Sequence, residues 1–100
     1  MLGSVLGMQL TSSINRDGTH PVLVLAGEID LATVPICLDM ITKFVDDHAE
    51  HDIAVDLCLV TALDDTGLGV ILGAVARARA AGSLLSLIVD DPHMRVRFGL

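Results

Sequence analysis

A change of hydrophobic period within residues 53–82 does most to limit what this chain can become. Ile53, Val55 and Leu57 alternate in a β-favouring run, whereas Leu68, Ile71, Leu72 and Val75 recur at helical spacing. The period therefore switches from about 2 to about 3.6 across Asp64–Gly67, and the stretch reads as a buried strand, a tight acidic turn and a helix opening at Thr66. The first N–H groups of a helix lack intrahelical partners and the helix dipole is positive there. An aspartate cap and an added phosphate are both favoured at such a turn. Either Asp64 or Asp65 can serve as the cap. If Leu68, Ile71, Leu72 and Val75 face the core, then Val70, Gly73, Ala74 and Arg77 form the opposite side. That side is unusually small and apolar for solvent and suits a docked partner next to Thr66. Arg79 falls near the core stripe and is expected to snorkel at the helix end.

The rest of the chain alternates strand and helix signals. Residues 8–14 read as an edge strand, with Asn15-Arg16-Asp17-Gly18 as the turn that follows. Val22–Ala26 is a continuous apolar run, expected at a central position of a mixed sheet. Gly27–Asp30 leaves it as an acidic loop. Thr33 is the expected N-cap of a helix with Pro35 in its first turn, running to about His48. Its apolar stripe is Val34, Cys37, Ile41, Phe44 and Val45, with Asp39, Lys43, Asp46 and Asp47 outward. After the helix ending at Gly82 come a strand, Leu84–Val89, and a short helix opening near Pro92 through Met94, Val96 and Phe98. Strand, helix, strand, helix, strand from residue 22 implies right-handed crossovers in an α/β fold: a mixed, largely parallel sheet with helices packed against it.

One hundred residues, 52% of them hydrophobic, suffice for one compact core, so residues 1–100 are expected to form a single domain. A net charge of -7 and the absence of Trp and Tyr argue against nucleic-acid binding and favour a partner with basic patches. The apolar stretch Leu68–Val89 is broken by Arg77 and Arg79, so a buried helix and strand are expected rather than a membrane span. The start, MLGSVLGMQL, has no basic region and no cleavage site, and a cytoplasmic location follows as the expectation. Cys37 and Cys58 show no paired-cysteine spacing and are expected to be reduced, buried packing residues. His48 and His51 near Glu50 and Asp52 lack a third spaced ligand, and His20 and His93 are expected in solvent, so no metal or other cofactor is assigned.

Two motifs, in order, add an identification. Asp64-Asp65-Thr66-Gly67 followed by LGVILG, with Gly27-Glu28-Ile29-Asp30 and LATVP upstream, resembles the STAS domain of bacterial anti-sigma factor antagonists. The resemblance covers roughly residues 8–100. In that family a D-S-S-G or D-S-T-G turn carries the phosphorylated hydroxyl, and G-E-[LI]-D is the upstream motif. Two departures stand out. Asp65 replaces the first hydroxyl, leaving Thr66 as the phosphoacceptor implied, and the chain stops at Phe98-Gly99-Leu100, where the family adds another strand and helix. The fold expected is thus STAS-like and shortened at its C-terminus.

The resemblance implies a non-enzymatic regulator that binds an anti-sigma factor, often a serine/threonine kinase, and thereby frees a sigma factor. Phosphorylation of Thr66 would switch it off. The partner-binding residues implied are Glu28, Asp30, Asp64, Asp65, Gly67, Val70, Gly73, Ala74 and Arg77, and a homodimer is left open. For Asp64 and Asp65, capping alone and assistance to a kinase both remain open. Two alternatives are a STAS module of another regulatory assembly and a small nucleotide-binding domain. Gly67, Gly69 and Gly73 fail the G-x-G-x-x-G spacing because Leu72 stands where glycine is required, and the turn is acidic. No P-loop lysine is present, and no histidine lies near Thr66 in sequence to activate it.

Overall fold

The computed structural model describes residues 10–18 and 20–100. Strands β1 (Leu10–Asp17) and β2 (His20–Ile29) form an antiparallel hairpin in which Asp17 stands opposite His20. That pairing leaves two residues for the turn, and Gly18 supplies the positive φ, 64°, that so tight a turn requires. Asn15, Arg16 and Asp17, read as the turn, instead extend the strand opposite Val22, Pro21 and His20. The expected strand start at residue 8 and the N-terminal stretch read for an export signal lie outside the described residues.

Helix α1 (Val34–Asp47), strand β3 (Ile53–Leu63), helix α2 (Asp65–Ala80), strand β4 (Leu85–Ile88) and helix α3 (Pro92–Arg97) follow. The sheet order is β1-β2-β3-β4, with β2, β3 and β4 mutually parallel and β1 antiparallel at the edge. Two successive crossovers of the same hand, stepping in the same direction, place α1 and α2 on one face. The core cluster has that form. Leu23 and Leu25 of β2, Ile53, Val55 and Leu57 of β3 and Leu85 of β4 meet Cys37, Ile41, Phe44 and Val45 of α1 and Ile71 of α2. Met94 brings α3 onto the same cluster. Val22 and Ala54, of alternate parity, are buried outside it, on the other face of the sheet.

Three expectations change. The buried stripe of α2 is Gly67, Ile71, Ala74 and Ala78, while Leu72 is 44% exposed and Leu68 and Val75 flank the core. The helix is thus rotated so that its smallest residues meet its neighbours, which brings α2 close and leaves the larger Leu72 outside. Cys58 is only half-buried, its Sγ 3.8 Å from the Ile88 carbonyl. His48, expected in a solvated connection, is half-buried, its Nδ1 2.8 Å from the Phe44 carbonyl and its ring 4.8 Å from that of Phe44. Among the described residues no helix is long and apolar enough to cross a membrane, and no group of three or more potential metal ligands occurs.

Candidate functional site

Because β2, β3 and β4 are parallel, the loops that leave their C-terminal ends share one edge of the sheet. Both acidic motifs lie there. Gly27–Ile29, read as loop, continues β2 and pairs with Val60–Leu63 of a β3 longer than expected, so the motifs are carried on neighbouring strands. Glu28 is exposed near the end of β2. Asp30 forms a local turn: its Oδ1 accepts from the amides of Ala32 at 3.0 Å and Thr33 at 3.1 Å. Thr33 stands just before α1, but its hydroxyl caps no helix amide. It turns back to accept from the Asp30 amide at 3.0 Å and donates to the Glu28 carbonyl at 2.8 Å. The half-buried Asp30 therefore shapes this loop, and the surface a partner could meet there is Glu28, Leu31 and Ala32.

The turn after β3 is joined to that loop by one side chain. Asp64 is the N-cap of α2: Oδ1 accepts from the Gly67 amide at 2.8 Å. Its Oδ2 accepts from the Leu31 amide at 3.1 Å, and its own amide donates to the Ile29 carbonyl, also at 3.1 Å. A single carboxylate thus closes the helix start and fixes it to the end of β2. Asp65 is the first helical residue, its side chain fully exposed and paired with Arg97 Nη2 at 3.1 Å. Thr66 follows, exposed, with no hydrogen bond from its hydroxyl among the described residues. Gly67, expected to meet a partner, is buried instead. A Cβ there would stand 2.6 Å from Ile29 Cγ2 and 2.8 Å from the Ile29 carbonyl oxygen, so this glycine lets the turn pack on β2.

From Gly69, one turn along α2 from Thr66, a groove of roughly 290 Å³ runs between α1 and α2. Leu38 and Thr42 form one wall, Gly69, Val70 and Gly73 the other. Ala74, expected on an exposed face, is 6% exposed and forms part of the floor. Arg77 ends the groove by reaching across to α1, its Nε and Nη2 bonded to the Asp46 carboxylate at 3.1 and 2.9 Å. Those hydrogen bonds hold the Asp46 carboxyl below its ordinary range. The structure therefore brings Val70, Gly73, Ala74 and Arg77 onto one groove. The α1 wall and Arg97 were not read from the sequence. Leu38, 49% exposed one turn before Thr42 on α1 and outside the expected apolar stripe, is the available signal for the first. Arg97 gave none, because its reach depends on where α3 folds back.

A family model described as Mlab, STAS domain matches residues 12–98. No curated protein sequence matches the chain significantly. Among solved structures, an anti-sigma factor antagonist from Mycobacterium paratuberculosis is similar with a TM-score of 0.76 at 21% identity, covering 90% of this chain and 75% of that one. The Bacillus anti-sigma factor antagonist SpoIIAA in its unphosphorylated form gives 0.69 at 22% identity, over 89% of this chain and 82% of that one. Mglu gives 0.60 at 27% identity, over 80% of this chain but 19% of that one.

Proposed function

The chain belongs to the STAS-domain family, and from that premise we propose that it is an anti-sigma factor antagonist. Unmodified, it binds an anti-sigma factor that is a serine/threonine kinase and so frees a sigma factor; phosphorylation of Thr66 by that kinase releases it. On this reading the protein is a cytoplasmic regulator without catalysis of its own. The observation that supports it most is the Asp64 bridge, which sets Glu28, Leu31 and the unengaged Thr66 hydroxyl at one sheet edge beside an apolar groove. A phosphate would bring a charge of roughly -1.5 to -2, tolerated by the helix N-terminus but opposed by the adjacent Asp64 and Asp65 and costly where a docked interface desolvates it. Like charges brought together at an interface cost several kcal/mol, and each 1.4 kcal/mol is about tenfold in affinity.

Thr66→Ala is expected to keep the partner and resist modification, and Thr66→Glu to lose about a hundredfold or more in affinity. Calorimetric titration of both variants, with phosphosite mapping of the natural sequence, tests this. Equal affinities, or phosphate found only outside Asp64–Gly67, would refute the switch. A second reading is a STAS module of another regulatory assembly; the likeness to a 19% segment of Mglu shows only that a domain of this fold also occurs within a longer chain. Pull-down from source cytoplasm with mass spectrometry separates the two by the partner recovered.

A further inference from the structure

The proposed switch puts a dianion next to two aspartates, one of which is bonded to a cation from the other end of the chain. Arg97, the last residue of α3, donates through Nη1 to the Leu63 carbonyl and through Nη2 to the Asp65 carboxylate. Its side chain is 34% exposed against 100% for that of Asp65. The guanidinium is thus the sheltered member of the pair, anchored by the last carbonyl of β3 as well as by charge. We propose that Arg97 is the phosphate-reading residue of this turn: when Thr66 carries phosphate, the guanidinium exchanges Asp65 for the phosphate, keeps Leu63, and so couples the modification to α3. This rests on the Thr66 reading and names how the modified state is held.

The placement favours the exchange. Leu63 immediately precedes the cap Asp64, so a group bonded to its carbonyl stands ahead of the first turn of α2. Side chains of a helix tilt toward its N-terminus, so Asp65 and Thr66, successive residues of the first turn about 100° apart around the axis, both lean toward that end. Of the five N–H donors of a guanidinium, two are engaged among the described residues, leaving three for an incoming acceptor. A phosphate offers three strong acceptor oxygens and more charge than a carboxylate, and suits the planar fork of arginine. Asp64 is engaged elsewhere, one carboxylate oxygen taking the Gly67 amide and the other the Leu31 amide. The other charged groups of the edge are the anionic Glu28, Asp30, Asp65, Asp90 and Asp91, with His93 and Arg95 on α3; Arg95 is turned to the Val89 carbonyl, so Arg97 is the cation bonded to the Leu63–Asp65 turn among the described residues.

The test uses the full chain with phosphothreonine installed at position 66 by semisynthesis, so that neither kinase nor partner is needed. Phosphorus and nitrogen NMR then follow the phosphate and the Arg97 Nε–Hε group against pH. The Arg97 resonance is expected to shift on phosphorylation and to titrate with the phosphate's own midpoint. Because a cation favours the dianion, Arg97→Gln is expected to raise the proton affinity of the phosphate about threefold or more, with Arg97→Lys between. An Arg97 resonance indifferent to the phosphate overturns the proposal in the unsubstituted chain, even if Arg97→Gln fails to fold. Equal titration in a folded Arg97→Gln protein overturns it as well. A phosphorylated chain that still holds the partner refutes the switch while leaving the Arg97 result intact.

Discussion

Gly67, Gly69 and Gly73 sit in one helix and answer to different constraints. A Cβ at Gly67 would collide with the side chain and backbone of Ile29, whereas one at Gly69 or Gly73 would meet no atom within 4 Å. Gly67→Ala is therefore expected to destabilise the fold by about 1–3 kcal/mol, the usual range for overpacking. Gly69→Ala and Gly73→Ala are expected to stabilise it by up to about 1 kcal/mol each, since helical glycine is costly and nothing in this chain resists the methyl group. Urea denaturation of the three variants checks the opposite signs. If the groove receives the partner, the two stabilised variants bind it less well. At this scale the sequence was only partly legible. It offered Asp64 and Asp65 as equal caps, because both precede the same helix, and only the folded turn shows that Asp64 reaches Gly67 and Leu31 while Asp65 points to Arg97. Gly67 looked like surface because a glycine carries no hydropathy signal to say which way its helix faces.

The helices show where pattern reading works and where it slips. For α1 the buried residues Cys37, Ile41, Phe44 and Val45 all lie in the expected stripe, because large apolar residues mark its inner face. For α2 the large residues misled, since close packing of that helix selects Gly67, Ala74 and Ala78 for burial and turns Leu72 outward. The fixed seat of α1 has a consequence for pH. Burial pushes the Cys37 thiol up to about 11 from an ordinary value near 9.0. The folded state prefers the protonated thiol, so its contribution is complete below about pH 9 and is lost as pH rises toward 11. A difference of two units corresponds to about 2–3 kcal/mol. Urea midpoints measured from pH 8 to 11 are expected to fall across that window, and Cys37→Ala to flatten the fall. The half-exposed Cys58 adds less; its thiol is also pushed up to about 11, by desolvation first and by Asp56 and Asp90 next.

Across the whole molecule, topology was the most legible level, since alternating strand and helix signals with right-handed crossovers leave few arrangements, and a parallel order of β2, β3 and β4 brings two motifs more than thirty residues apart to one edge. Strand lengths were not legible. β1 runs through a turn signal and β3 runs six residues past the alternating core, to Leu63, because pairing with a neighbour overrides local preference. That mismatch in length has a stability counterpart. β3 lies between two strands, but β4 has only four residues, pairs with Ile53–Asp56 alone and has no outer neighbour among the described residues. α3 is six residues long and buries Met94, with Phe98 partly packed beyond its end. Free energies of local opening are smallest where few apolar contacts are buried, so amide hydrogen exchange is expected to be faster in β4 and α3 than in Ile53–Leu57. Peptide-resolved exchange measured by mass spectrometry on the unphosphorylated chain checks this, and concentration separates the alternatives. Protection of β4 equal to that of β3 at high concentration but lost on dilution would show a second copy covering the edge. Equal protection that persists on dilution would contradict the ranking.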